Sequence, residues 1–168
     1  MSNCTPQAIA DIDELYARPG FLLRRAHQIS VSIFEAACAE LGLTPAQFSV
    51  LAVVNVDDGL DQSSVARAVG LDKVTVSLLL RALEARGLVD RRVSSENRRK
   101  RLLALTNEGR EVLSRSRRPT EEAYAALMAP FDPLQRVQFV SLLRQLVTSL
   151  EDSARAPLVA LPQSRTLR

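Results

Sequence analysis

Apolar residues recur at Leu22, Ala26, Ile29, Ile33, Ala37 and Leu41, a helical stripe that predicts a helix over residues 20–41. Gly42 then stands where a helix-ending glycine belongs. Thr44 and Pro45 read as the cap and first position of a second helix through Phe48, Leu51, Ala52 and Asn55, which stops near Asp58-Gly59. A compact pair follows. Asp61 to Val69 starts on capping residues and is closed by Gly70, and Asp72 caps a fourth helix from Lys73 to Arg86. Val76, Leu79, Leu80 and Leu83 form the inner face of that helix, and Gly87 ends it.

Beyond Gly87 the period shortens. Residues 88–93 read as a strand, 94–99 as a polar turn and 100–105 as a returning strand. Thr106 caps a long helix through Gly109, Val112, Leu113 and Arg117, which Pro119 should kink or break. A last helix opens at Asp132-Pro133, with the stripe Phe139, Val140, Leu143, Leu146, Val147 and Leu150. That stripe is too long and apolar for a small domain to hide alone, so it is expected to pack against the first helix and a second subunit.

These elements predict a mostly α fold with a small β-wing. Two short helices joined by a Gly-containing turn form a helix-turn-helix, and a hairpin directly after them is a wing. The expected organisation is an N-terminal arm (1–18), a helical dimerisation region (19–43 with 107–152), a DNA-binding lobe (44–106) and a flexible C-terminal tail (153–168).

Composition narrows the function. The 168 residues suffice for one domain with a real core. Aromatics are scarce and Trp is absent, which argues against a stacking surface for single-stranded nucleic acid. No apolar run approaches the roughly 20 residues of a membrane span, and the first residues lack a basic-then-apolar signal, so a cytoplasmic protein without a membrane partner is expected. One His and two Cys with no ligand spacing call for no metal, no cofactor and no enzyme. Cys38 reads as a packed small hydrophobe; the alternative is a redox-responsive DNA switch using Cys38 or Cys4.

Charge is uneven. Residues 81–118 hold twelve Arg or Lys against five Asp or Glu, a balance of +7 in a chain of net charge +3, leaving −4 elsewhere. Such a block is a footprint for a polyanion. Major-groove contacts are expected from the opening turns of the helix from Lys73 to Arg86, at Lys73, Val74, Thr75, Ser77 and Leu78. Gln62 and Ser63 open the preceding helix, whose N-terminal amides favour a phosphate. Arg98, Arg99 and Arg101 of the wing suit a narrow minor groove.

The stretches LTPAQFSVLAVV (43–54), DQSSVARAVGLDKVTVSLLLRALEARGLVDRR (61–92) and ENRRKRLLALTNEGR (96–110) together resemble the MarR (multiple-antibiotic-resistance regulator) family over residues 18–152. The resemblance implies a winged helix-turn-helix homodimer with interlocking N- and C-terminal dimerisation helices. It also implies binding to a pseudo-palindromic double-stranded operator, mostly as a repressor released by a small molecule. Two positions depart from the pattern. Asn97 stands where the family's wing usually carries an Asp that orients the groove-binding Arg, here Arg99. Leu78 occupies a region of the helix from Lys73 to Arg86 where an Arg is often found.

The segment RPGFLLRRAHQI (18–29) resembles members controlling catabolism of aromatic or heteroaromatic acids and their thioesters. Arg24 and His27 lie three apart on one helix face. They are the candidate partners for a carboxylate or phenolate effector, with Phe34 and Phe48 as apolar wall.

Overall fold

The computed structural model describes residues 11–57, 59–93 and 100–161. The chain begins with α1 (Ile12–Ala17), capped by Asp11, and α2 (Pro19–Ala37). The described part of the N-terminal arm is thus helical, and Tyr16 packs on Phe21 with ring centroids 5.0 Å apart. The helix expected to reach residue 41 ends at Ala37, and a 3-10 turn covers Ala39–Leu41 before left-handed Gly42. The tighter winding lets Cys38 and Leu41, three apart, both enter the core. Arg86 braces this end from across the molecule, donating to the carbonyls of Leu41 (2.6 Å) and Gly42 (2.8 Å).

Helix α3 (Pro45–Val56) opens on a reciprocal capping box between Thr44 and Gln47. Helices α4 (Gln62–Val69) and α5 (Lys73–Ala85) follow with Asp61 and Asp72 as caps. Strands β1 (Val89–Val93) and β2 (Arg101–Leu105) pair antiparallel, with Val89 opposite Leu105 and Val93 opposite Arg101. A third, one-residue strand escaped the sequence pattern: Asp61 bridges Leu102, and the Leu103 amide donates to the Leu60 carbonyl (2.8 Å). It anchors the base of the wing to the start of α4.

The predicted break at Pro119 falls slightly upstream. Helix α6 (Asn107–Arg115) stops at Ser116 and α7 (Arg117–Met128) restarts. Pro119 then occupies the first turn of α7, where a missing N–H costs nothing. Ser116 is fully buried, its hydroxyl donating to the Leu113 carbonyl (2.7 Å). Helix α8 (Pro133–Leu150) has an Asp132–Gln135 capping box and runs into a 3-10 turn, Glu151–Ser153.

The core lies in the lobe, where Val50, Leu51, Val65, Val76, Leu80 and Leu103 are sealed from solvent. Gly109 lets α6 settle on this lobe: a Cβ there would lie 2.0 Å from the Leu88 carbonyl oxygen. Helices α2 and α8 contribute no buried residue, and Leu134, Val137 and Leu142 of α8 are each about two-thirds exposed. Within the expected tail, the Val159 amide donates to the Arg67 carbonyl (2.9 Å) and Leu158 lies over Gly70, so these two residues touch the end of α4.

Candidate nucleic-acid interface and adjoining clefts

Helix α5 has two sharply different faces. Val76, Leu80 and Leu83 are fully buried, whereas Val74 is 72% and Leu78 60% exposed on the opposite side. Large apolar side chains held in water beside a basic residue, Lys73, form a surface suited to thymine methyls and phosphates. Arg81, three residues beyond Leu78, is exposed on the same face and extends it. The sequence reading stopped at the opening turns and passed over Arg81; continuing the spacing from Val74 by two turns would have found it.

The N-terminus of α5 is tightly built. Asp72 accepts from the Val74 and Thr75 amides (2.9 Å each) and from the Thr75 hydroxyl (2.6 Å). The Thr75 hydroxyl first, and then the amides, hold the Asp72 carboxyl below its ordinary range. Thr75 thus spends its hydroxyl proton on the cap. Gln62 donates from Nε2 to the Lys73 carbonyl (3.3 Å), which ties the two helix starts together. Ser63 and Ser77 are half-buried. Asp61 accepts the Ser64 amide (2.8 Å), and that bond keeps its carboxyl low as well.

In the wing, Arg101 is exposed at the start of β2, opposite Val93. Arg91 is paired with Glu84 of α5, which fixes the strand to the helix. Arg98 and Arg99, and with them Asn97, lie outside the described residues.

Three neighbouring clefts run along the other side of the chain. The first, about 530 Å³, lies between α2 and α8 and is lined by Leu22, Leu23, Ala26, His27, Phe139 and Leu143 among others. The second, about 250 Å³, lies between α2, α3 and α7; Phe34, Phe48, Ala123, Tyr124 and Leu127 make its walls. Both include Ser30 and Leu127. The third, about 320 Å³, is shared by α3, α6 and α7 and is polar, with Asn55, Arg110, Ser114 and Arg117; it meets the second at Phe48 and Thr120.

Of the four effector candidates, Phe34 and Phe48 come together, with centroids 5.6 Å apart and planes tilted by 52°. His27 sits one cleft away. Arg24 lines none of these three clefts: it is exposed, stacks over Phe21 at 4.8 Å and donates to Gln28 (3.3 Å). The cation beside the aromatic slot is instead Arg117, which the sequence reading had only as a helix position. Arg110 in the same cleft is engaged with the Leu105 carbonyl (2.9 Å) and Asn107 (2.7 Å). Cys38 is 1% exposed, and burial pushes its thiol up, away from the reactive thiolate. Cys4 lies outside the described residues. Among the described residues no cluster of His, Cys, Asp or Glu could hold a metal, and no helix is long and apolar enough to cross a membrane.

A capped helix pair with one buried and one exposed face, followed at once by an antiparallel hairpin, is a winged helix-turn-helix, the fold of a large class of DNA-binding regulators. Residues 41–100 match the model of the MarR family. The chain is 27% identical over 157 residues, 91% of its own length and 99% of the relative's, to the HTH-type transcriptional repressor NicR of Pseudomonas putida. Among solved structures it superposes on the transcriptional repressor CouR bound to a 23-mer DNA duplex. The TM-score there is 0.75 at 30% identity, covering 83% of this chain and 99% of the other. It also superposes on Bordetella bronchiseptica BpsR, from a structure describing regulation of DNA binding by 6-hydroxynicotinic acid. In that case the TM-score is 0.73 at 32% identity, with 78% and 94% covered. The chain belongs to the MarR family.

Proposed function

We propose that the protein is a repressor that binds a pseudo-palindromic operator as a homodimer and is released by a small aromatic or heteroaromatic acid or its thioester. The observation that carries the effector class is the slot between Phe34, Phe48 and Tyr124, which adjoins the polar cleft holding Arg117. Offset aromatic walls suit a flat ring, and a guanidinium at one end suits a carboxylate. The repressors NicR and BpsR, the latter regulated by 6-hydroxynicotinic acid, support the same class. His27 borders the apolar cleft on the other side of the slot, where a ring substituent or a thioester chain would extend.

DNA contacts are assigned to Lys73, Val74, Ser77 and Leu78, to Gln62 and Ser63 at the start of α4, and to Arg98, Arg99 and Arg101 of the wing. The acid acts by linkage, binding more tightly to a conformation whose recognition helices are wrongly spaced for DNA. Such coupling is typically about 1–3 kcal/mol, or 5- to 150-fold in affinity.

The test is release of a selected operator duplex, followed by fluorescence anisotropy. The panel is 6-hydroxynicotinate, 4-hydroxybenzoate, 4-hydroxycinnamate and the coenzyme A thioester of the last. At least one should release DNA from the unaltered protein. Arg117→Ala should blunt that response at least tenfold while leaving operator affinity within about threefold. His27→Ala should change the ranking of the panel, and Arg24→Ala should have little effect. A full response in Arg117→Ala, with loss in Arg24→Ala, would return the carboxylate site to α2.

A further inference from the structure

The last described stretch of the chain is attached at two points to elements far apart in sequence. Leu158 is tied back to the turn that follows α8: its amide donates to Glu151 Oε1 (2.8 Å). The next residue, Val159, reaches the helix-turn-helix, where its amide donates to the Arg67 carbonyl (2.9 Å). That carbonyl belongs to the last turn of α4 and also accepts from the Gly70 amide (3.3 Å), so Val159 adds a second, closer donor at the helix end. Gly70 lies directly under this contact. Its backbone is left-handed (φ +64°), and a Cβ at this position would lie 3.4 Å from Leu158 Cδ1 and 3.7 Å from its Cβ. Leu158 therefore rests on the bare backbone of the turn between α4 and α5. Asp72, which caps the recognition helix, is two residues further on.

We propose that residues 154–161 form a strap that couples α8 to the recognition helix by docking on the α4–α5 turn of the same chain. Helix α8 buries no side chain fully in the described chain, and the bond from Leu158 to Glu151 links its end to the lobe. It also walls the apolar cleft with Phe139 and Leu143. Movement of α8 is thereby transmitted through Glu151, Leu158 and Gly70 to the cap of α5. Leu158 and Val159 are about half exposed, so the attachment is light and releasable rather than part of the core. This inference rests on the DNA-binding reading for its consequence, but the docking itself does not.

The test uses the full chain with Leu158→Asp, which removes the apolar contact, and Val159→Pro, which removes the N–H donor. Val159→Ala keeps the donor and serves as the conservative control. Hydrogen exchange of the Gly70, Leu71, Val74 and Thr75 amides is measured without DNA, and affinity for a selected operator duplex is measured separately. The strap predicts exchange at those amides at least fivefold faster in both disruptive variants. It also predicts operator affinity reduced at least threefold, with core amides of α3 unchanged and Val159→Ala within twofold of the original on both counts. Unchanged exchange in both variants overturns the docking. Faster exchange with unchanged operator affinity overturns the coupling. If the unaltered protein selects no operator at all, the proposed function fails while the exchange measurement still decides whether the strap is docked.

Discussion

Asp72 shows how a single side chain organises the start of a helix. Its carboxylate gathers two amides and a hydroxyl at the start of α5, leaving Lys73 and Val74 presented outward. The carboxyl is held low in the folded chain, so its contribution is complete above the unfolded-state value of about 4 and is lost as pH falls through the lower folded value. Below about pH 4 the Val74 and Thr75 amides should therefore exchange progressively faster than those of the α5 interior. Asp72→Asn, which still caps but does not titrate, should abolish that acid dependence; its persistence would assign it to another group. Val74→Ala and Leu78→Ala should leave urea stability within about 0.5 kcal/mol, because both side chains are already exposed. Each should weaken operator binding by about 1 kcal/mol, several-fold in dissociation constant. At this scale the sequence was readable where a residue has a local partner, as with the caps, and silent where partners are distant. Nothing near Arg117 announces that it borders Phe48, whereas the stack of Arg24 on Phe21 is an i,i+3 pair within α2 that helical spacing makes readable.

Among the elements, Gly109 joins the lobe to the long helices, because α6 meets the Leu88 carbonyl at a distance no side chain permits. The Thr106 amide donates to that same carbonyl (3.1 Å), and the Thr106 hydroxyl donates to the Gly87 carbonyl (2.6 Å). Gly109→Ala must push the helix off the wing and should cost at least about 1–3 kcal/mol in urea unfolding. A cost below 0.5 kcal/mol would show that α6 can shift freely. Helix starts were the most legible feature of the sequence, since Thr44, Asp61, Asp72, Thr106 and Asp132 all cap as expected. Helix ends were less so. The 3-10 turn at Ala39–Leu41 follows from core packing around Cys38 and the brace from Arg86, neither of which has a local pattern. The bridge from Asp61 to Leu102 was hidden for the same reason, being one residue long and forty residues from its partner in the chain.

For the molecule as a whole, the division is between a lobe with a sealed core and two helices, α2 and α8, that seal nothing within one chain. The apolar stripe of α8 was visible in the sequence; which part faces α2 was not, and Phe139, Leu143 and Leu146 prove to be that part. The rest of the stripe should face a second copy. Sedimentation should give a dimer at micromolar concentration, and Val147→Asp with Leu150→Asp, both exposed in one chain, should give a folded monomer with markedly weaker operator binding. A monomeric unaltered protein would break the dimer reading. The local charge of +7 over residues 81–118 was likewise plain in the sequence, and it leads to the central claim, that this surface holds duplex DNA. The most direct measurement is the affinity for a selected operator duplex at 50 and at 200 mM salt. A dimer neutralising about six to ten phosphates should lose roughly 10³- to 10⁵-fold in affinity across that range. A change of less than tenfold, or failure to select any duplex, would contradict the account.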